Sequence, residues 1–336
     1  MVTPAGPLLV GDLDEQGLLD RVVPLLPREA LVGPGDDAAV VAAPDGRVVV
    51  TTDVLVEHRD FRRDWSSGAD VGWKAVAQNV ADVAAMGARC TGLVVALGLP
   101  GDVEVAWVED FARGAAQACR ALGAVVVGGD LSGAAEVVVS VTALGDLAGR
   151  APVLRSGARP GDVVAVAGEL GRSAAGWHLL RAHGPGGPDG AGWGAAADLV
   201  TAHRRPVPPV AAGPAAAAAG AGALMDVSDG LLRDAGRTAA ASGADLDLDL
   251  RGGPLGAWSA ALAAATGVDA ATADGFVLTG GEDHALLGCF PPGVVLPAGF
   301  RAVGRVVAPR GGAPAVTVDG SRWDGPGSGW DHFARG

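Results

Sequence analysis

The chain has 336 residues, enough for two domains at about one per 150 residues. It carries 25 Lys and Arg against 38 Asp and Glu, a formal net charge of −13, and a surface of that sign repels a phosphate backbone, which excludes a general nucleic-acid binder. With 49% apolar residues the chain is folded rather than disordered, in spite of 54 Gly and 22 Pro.

Three cysteines, Cys90, Cys119 and Cys289, form no CxxC pair and are odd in number. Neither a disulfide framework nor a thiolate zinc site is expected, and a reducing cytoplasm is. The amino end lacks the basic head of a signal peptide, since the first basic residue is Arg21. The Ala-rich run around 210–225 is broken by Gly213, Pro214, Gly220 and Gly222, so no membrane partner is expected.

In chain order, RVVVTTD (47–53) reads as a strand ending in hydroxyls and a carboxylate, and Ala69 to Met86 as a helix closed by Gly87. On that helix Gly72, Val76, Val80 and Val83 form a packing stripe, while Gln78, Asn79 and Asp82 fall on another. A strand at 92–99, a helix at about 103–122, a strand at 124–127 running into GGDLSG, and a strand at 136–144 complete an α/β unit. The Gly, Pro and Arg-dense stretch 145–162 is the expected boundary, giving domains 1–148 and 149–336.

Beyond it, DVVAVAGE reads as a strand, GRSAAGWHLLRAH as a helix, 184–194 as a surface loop, and the Ala-rich region as helical. In ALMDVSDGLLRDAGRTAAASG an apolar strand enters Asp226, with Ser228 or Asp229 placed to cap the following helix. Further strands are expected at 244–250, 276–279, 285–290, 301–307 and 315–318. Asp245, Asp247 and Asp249 alternate with leucines and read as the wet face of a strand.

Six acidic motifs stand at predicted strand ends or beside glycine turns: GDDAAVV (Asp36, Asp37), TTDVLVE (Asp53), NVADVAAMGA (Asp82), GGDLSG (Asp130), MDVSDGL (Asp226, Asp229) and GGEDHAL (Glu282, Asp283). Carboxylates gathered without Cys or a His pair are hard ligands that favour Mg²⁺ over zinc or copper, and Mg²⁺ usually arrives with a nucleotide. No GxxxxGK[ST] is present and the only lysine, Lys74, lies inside a helix, which excludes a P-loop kinase. His284 reads as a packing residue rather than a base.

Taken together with KAVAQNVADVAAMGA, GRAPVLRSGARPGD and the terminal GWDHF, these motifs resemble the thiamine-monophosphate kinase family, over a span from about residue 11 to Phe333. That family lies in the ATP-using superfamily of aminoimidazole ribonucleotide synthetase and selenophosphate synthetase. The resemblance implies a two-domain aminoimidazole ribonucleotide synthetase-like fold: an amino-terminal α/β domain whose sheet pairs with that of a second subunit, then an α+β domain. It implies phosphoryl transfer from ATP to thiamine phosphate, with the nucleotide in a cleft between domains. Because the accepting phosphate oxygen is already ionised near neutral pH, no dedicated base is required, and positioning with charge neutralisation carries the reaction.

By resemblance, Asp37, Thr51, Thr52, Asp53, Asp82, Asp130, Asp226 and Asp229 match metal-ligating positions for several Mg²⁺ ions. Gly129, Asp130, Arg155 and Ser228 match nucleotide contacts. Glu282 and Trp330 match positions that hold thiamine, where a carboxylate and an aromatic face suit a cationic ring, and Asp60 stands at a substrate-contacting position often held by His. The alternatives are another enzyme of the superfamily, similar to aminoimidazole ribonucleotide synthetase, and a non-catalytic binder of Mg-nucleotide or thiamine phosphate.

Overall fold

The computed structural model describes residues 6–26, 41–190, 192–325 and 329. Asp36, Asp37 and Trp330 lie outside the described residues. The chain divides into two compact units, 1–80 with 90–146, and 81–89 with 147–336. The sequence-based boundary at 148/149 assigns 81–89 to the first domain, whereas their contacts are with the second unit.

In the first unit α1 (Glu15–Val22) is capped by Asp14, whose carboxylate accepts the Gly17 N–H. A four-stranded sheet then forms from β1 (Val49–Val56), β2 (Arg89–Leu99), β3 (Val126–Gly133) and β4 (Val138–Asp146) in the order β1-β4-β2-β3. β1 runs antiparallel to β4 and β2 parallel to β3. The helices α2 (Gly68–Ala85) and α3 (Val105–Leu122) pack closely because glycines stand where they meet. A Cβ at Gly72 would overlap Phe111 O, and one at Gly114 would overlap Ala69 O. β3 extends through GGDLSG, so Asp130 sits within a strand rather than at a turn, and β1 likewise runs three residues past Asp53.

The second unit is built on a six-stranded sheet. Its elements are β5 (Val163–Ala167), α4 (Arg172–His183), α5 (Ala197–Arg204), α6 (Ala212–Ala218), β6 (Ala223–Val227), α7 (Leu231–Ser242), β7 (Asp245–Leu248), α8 (Pro254–Thr266), α9 (Ala270–Thr279), β8 (Ala285–Phe290), β9 (Phe300–Val307) and β10 (Val316–Val318). The strand order is β10-β7-β9-β5-β8-β6, antiparallel except for β10 beside β7. Ala165, Ala167, Leu224, Leu286, Phe290 and Phe300 form the core, with Phe290 and Phe300 edge to face at 4.9 Å.

Two sequence expectations fail here. Residues 276–279 are the end of α9, not a strand; a four-residue apolar run has no period of its own, and Asp269 caps this helix by accepting the Thr272 N–H at 2.8 Å. Asp245 and Asp247 do not form a wet face either, being 6% and 8% exposed. Asp245 accepts the Arg310 and Ala315 N–H groups, and Asp247 accepts from the Thr317 hydroxyl and the Gly320 N–H. Burial works against the Asp247 charge, yet these bonds and Arg305 hold its carboxyl below the usual range. Among the described residues no helix is long and apolar enough to cross a membrane.

Candidate active site

β6, buried at all five positions, carries Asp226 to its carboxyl end, and a short turn then enters α7. Neither Ser228 nor Asp229 caps that helix. The N-cap is Gly230 at φ +110, where a Cβ would stand 2.6 Å from Thr279 O. The donor is satisfied from inside the helix instead, because Asp234 Oδ2 accepts the Asp229 N–H at 2.9 Å. The Asp229 side chain is thus free of a capping duty and pairs with Arg237 Nη2 at 2.6 Å, while Arg237 Nη1 donates to Asp234 Oδ1 at 2.6 Å. Asp234 is 0% exposed, and burial, with the nearby Asp226 charge, pushes its carboxyl up to about 7.

The GGED segment lies against this turn. Glu282 N–H donates to Ser228 O at 2.8 Å and His284 N–H to Val227 O at 3.1 Å. Glu282 and His284 both have positive φ, +65° and +52°, a conformation that non-glycine residues hold only where the surroundings enforce it. Asp283 supplies part of that enforcement. Its two carboxylate oxygens accept the Gly171 N–H at 2.6 Å and the Ser173 N–H at 2.8 Å, capping α4. Burial nevertheless pushes the Asp283 carboxyl up to about 7.

His284 is buried, and its Nδ1 lies 3.5 Å from Asp226 Oδ2. Burial disfavours its charge, but Asp226, with Glu282 and Asp82, raises its pKa. Asp82, half-buried on the last turns of α2, therefore acts on the same imidazole as Asp226. Arg155 is exposed, and its carbonyl accepts the Ser242 hydroxyl at 3.2 Å.

In the first unit Thr51 and Asp53 share one face of β1, and Thr52 points to the other, where its hydroxyl donates to Val141 O at 3.0 Å. Gly129 and Asp130 are exposed on the edge strand β3, and Gly129 lies so close to β2 that a Cβ would overlap Val95 O. Asp60 is half-buried and its carboxylate accepts the Val56 N–H at 2.8 Å, closing the turn after β1. Asn79 is fully buried, with Nδ2 donating to Ala75 O.

The structure thus brings Asp82, Asp226, Ser228, Asp229 and Glu282 together around the two strapped segments of the second unit. It places Thr51, Thr52, Asp53, Asp60, Gly129 and Asp130 on the sheet of the first. Sequence reasoning missed Asp234, Arg237 and His203, the last lying 3.5 Å from Glu282. The Asp234 and Arg237 spacing on one helix face was a usable signal; nothing local marks His203.

The family model "AIR synthase related protein, N-terminal domain" matches residues 35–147. Thiamine-monophosphate kinase of Mycobacterium tuberculosis (strain H37Rv) is 48% identical over 323 residues, covering 96% of this chain and 92% of the relative. The solved thiamine monophosphate kinase of Aquifex aeolicus superposes with a TM-score of 0.72 at 32% identity, covering 92% of this chain and 97% of that one. A structure of AaThiL complexed with AMPPCP and TMP gives a TM-score of 0.75 at 33% identity, with 98% and 100% covered. With identity and fold agreeing over nearly its whole length, the chain belongs to the thiamine-monophosphate kinase family.

Proposed function

We propose that this chain transfers the γ-phosphoryl group of ATP to thiamine phosphate, giving thiamine diphosphate, as a cytoplasmic homodimer that uses Mg²⁺. The observation that carries the reading is the strapping of the MDVSDG and GGED segments by the Glu282 N–H to Ser228 O bond, in a chain 48% identical to a thiamine-monophosphate kinase. It brings residues matched to nucleotide and to thiamine within one bond of each other.

The donor set fits Mg²⁺. Asp53, Asp82, Asp130, Asp226 and Asp229 are carboxylates, Thr51 offers hydroxyl or carbonyl oxygen, Thr52, whose hydroxyl lies on the opposite face and donates to Val141 O, offers its carbonyl, and Asp37 completes the set. Among the described residues no three His, Cys, Asp or Glu are grouped to hold an ion by themselves. That suits a cation which keeps several waters and takes one or two carboxylates plus substrate phosphates. When bound, the metal supplies neutralisation of the phosphate charge.

The chain's own residues do the rest. Asp226 and Asp229 are presented at a strand end and a tight turn, with His284 Nδ1 3.5 Å from the Asp226 carboxylate and Arg237 paired with Asp229. Gly129, Asp130, Arg155 and Ser228 contact the nucleotide, with Arg155 pairing with phosphate oxygens. Glu282 and Trp330 hold the cationic thiamine, and Asp60 borders it. The accepting oxygen needs no general base, so alignment and exclusion of competing water are what the protein contributes.

A second copy covers the open face of the first unit's sheet. Val50 and Val54 are 61% and 49% exposed there, on one face of β1, and apolar residues left open on a sheet face mark an association surface.

Incubating the protein with Mg²⁺, ATP and thiamine phosphate tests the reaction directly. Thiamine diphosphate and ADP are expected in equal amounts. Binding of both ligands without product would replace the kinase reading with that of a binding protein.

A further inference from the structure

We propose that Asp283 is the positioning residue of the GGED segment: by bonding the first turn of α4 it fixes the direction in which Glu282 leaves the main chain, and so sets the affinity of the site for thiamine phosphate. The proposal rests on the reading of Glu282 as a carboxylate that meets the substrate. Asp283 Oδ2 accepts the Gly171 N–H at 2.6 Å and Oδ1 the Ser173 N–H at 2.8 Å. Carboxylate bonds of this length to main-chain donors at a helix start are charge-assisted and strong.

The platform that receives these bonds is itself held. Gly171 stands at φ +86°, where a Cβ would lie 2.7 Å from Leu262 Cδ1 of α8 and 2.9 Å from Phe276 C of α9, so the start of α4 is wedged against both helices. The GGED segment runs between this platform and the turn after β6. A Cβ at Gly280 would lie 2.5 Å from Ala174 Cβ of α4, and one at Gly281 2.5 Å from Ser228 O, so only glycines fit the slot. Past it the chain enters β8, where Ala285 pairs with Val227.

Asp283 is flanked by two non-glycine residues in the left-handed region, Glu282 at φ +65° and His284 at φ +52°, a conformation that relaxes unless its surroundings hold it. The β8 pairing holds the His284 side, whereas the Glu282 side opens onto two glycines that have no side chain to anchor. The Glu282 carboxylate has contacts of its own, but the region it can reach is set by its main chain, and Asp283 ties that main chain to α4. A side chain already aimed needs less ordering when the ligand arrives. The Ser228 side of the strap has a separate anchor, since Asp234 accepts the Asp229 N–H and Arg237 joins the two carboxylates. Loosening at Asp283 therefore falls on the thiamine end and leaves the nucleotide end in place.

Steady-state kinetics and calorimetric binding test this on the full chain with Asp283→Asn, Glu282→Gln and the double variant Asp283→Asn/Glu282→Gln. Asparagine matches aspartate in size but offers one acceptor oxygen, so its amide nitrogen faces one of the two N–H donors. Asp283→Asn should raise KM and Kd for thiamine phosphate about three- to tenfold, the scale of ordering one long side chain anew on binding, with kcat and KM for ATP within about twofold. The double variant should bind thiamine phosphate as Glu282→Gln does, within about twofold. An unchanged KM for thiamine phosphate, equal rises for both substrates, or losses that multiply in the double variant would overturn the proposal while leaving Glu282 in place. Unaltered affinity for thiamine phosphate in Glu282→Gln would instead remove the Glu282 reading, and the proposal with it. If Asp283→Asn fails to fold, Asp283→Ser, which keeps one hydroxyl acceptor in less volume, carries the same comparison, with the same selectivity for thiamine phosphate expected and its absence counting against the proposal.

Discussion

The guanidinium of Arg237 donates to Asp229 Oδ2 at 2.6 Å and, with its other arm, to the fully buried Asp234 at 2.6 Å. One cation thus holds two carboxylates eight and three residues away, and Asp234 in turn holds the Asp229 backbone. The turn that presents Asp229 is fixed at both its main chain and its side chain.

Replacing Arg237 by Gln leaves Asp234 buried beside Asp226 without its cation. Because the Asp234 pKa of about 7 already includes the lowering by Arg237, against burial and the Asp226 charge, loss of Arg237 moves that pKa further up. The carboxyl is then mostly protonated at pH 6 in both proteins, but the variant must hold an unfavourable charge or proton at pH 8. Urea unfolding should show a cost of about 1–3 kcal/mol, larger at pH 8 than at pH 6; a cost independent of pH would contradict the assignment.

Asp283 titrates in the same window. Its folded pKa, about 7, lies above the ordinary carboxylate value near 3.9, so the native state binds more protons than the unfolded chain between them. Stability relative to Asp283→Asn should therefore fall as pH rises from about 4 to about 7 and be level above that. Melting temperatures of the two proteins at pH 5, 6, 7 and 8 check the sign.

Asp130 is exposed on an edge strand and Asp53 lies on the sheet beside β4, so neither carries the core. Asp53→Asn and Asp130→Asn should each lower kcat/KM by about 10²–10³, the scale of weakening one stabiliser of transition-state charge, here the metal each carboxylate would hold, with melting unchanged within a few degrees. Turnover at the unaltered rate in either variant would place the metal ligands elsewhere.

The open sheet face offers an independent test of assembly. Val54→Asp puts a charge where Val54 is 49% exposed, which costs the isolated unit little and a self-association face much. Sedimentation should report a shift from dimer to monomer at micromolar concentration. A dimer of unchanged stability would exclude this face from the contact.

Much of the architecture was legible in the local pattern. The strand entering Asp226, the helix after Gly230, and α2 and α3 all follow from apolar period and glycine punctuation, to within two residues at most ends. The strand reading failed at 276–279, where four apolar residues have no resolvable period and a distant cap decides. It failed again at Asp245 and Asp247, because the alternation was real but the polar side found backbone donors from 310–320 instead of water.

By itself, the sequence determined which carboxylates this protein owns and which family it resembles, because those properties reside in residue types at fixed spacing. Only tertiary structure decided what each carboxylate does at rest. Asp229 and Asp234 became partners through one arginine, Asp283 became the cap of a helix more than 100 residues earlier in the chain, and His203 came to rest on Glu282. Such pairings arise from helix approach distances and burial, which are set by the packed core and carry no local signature.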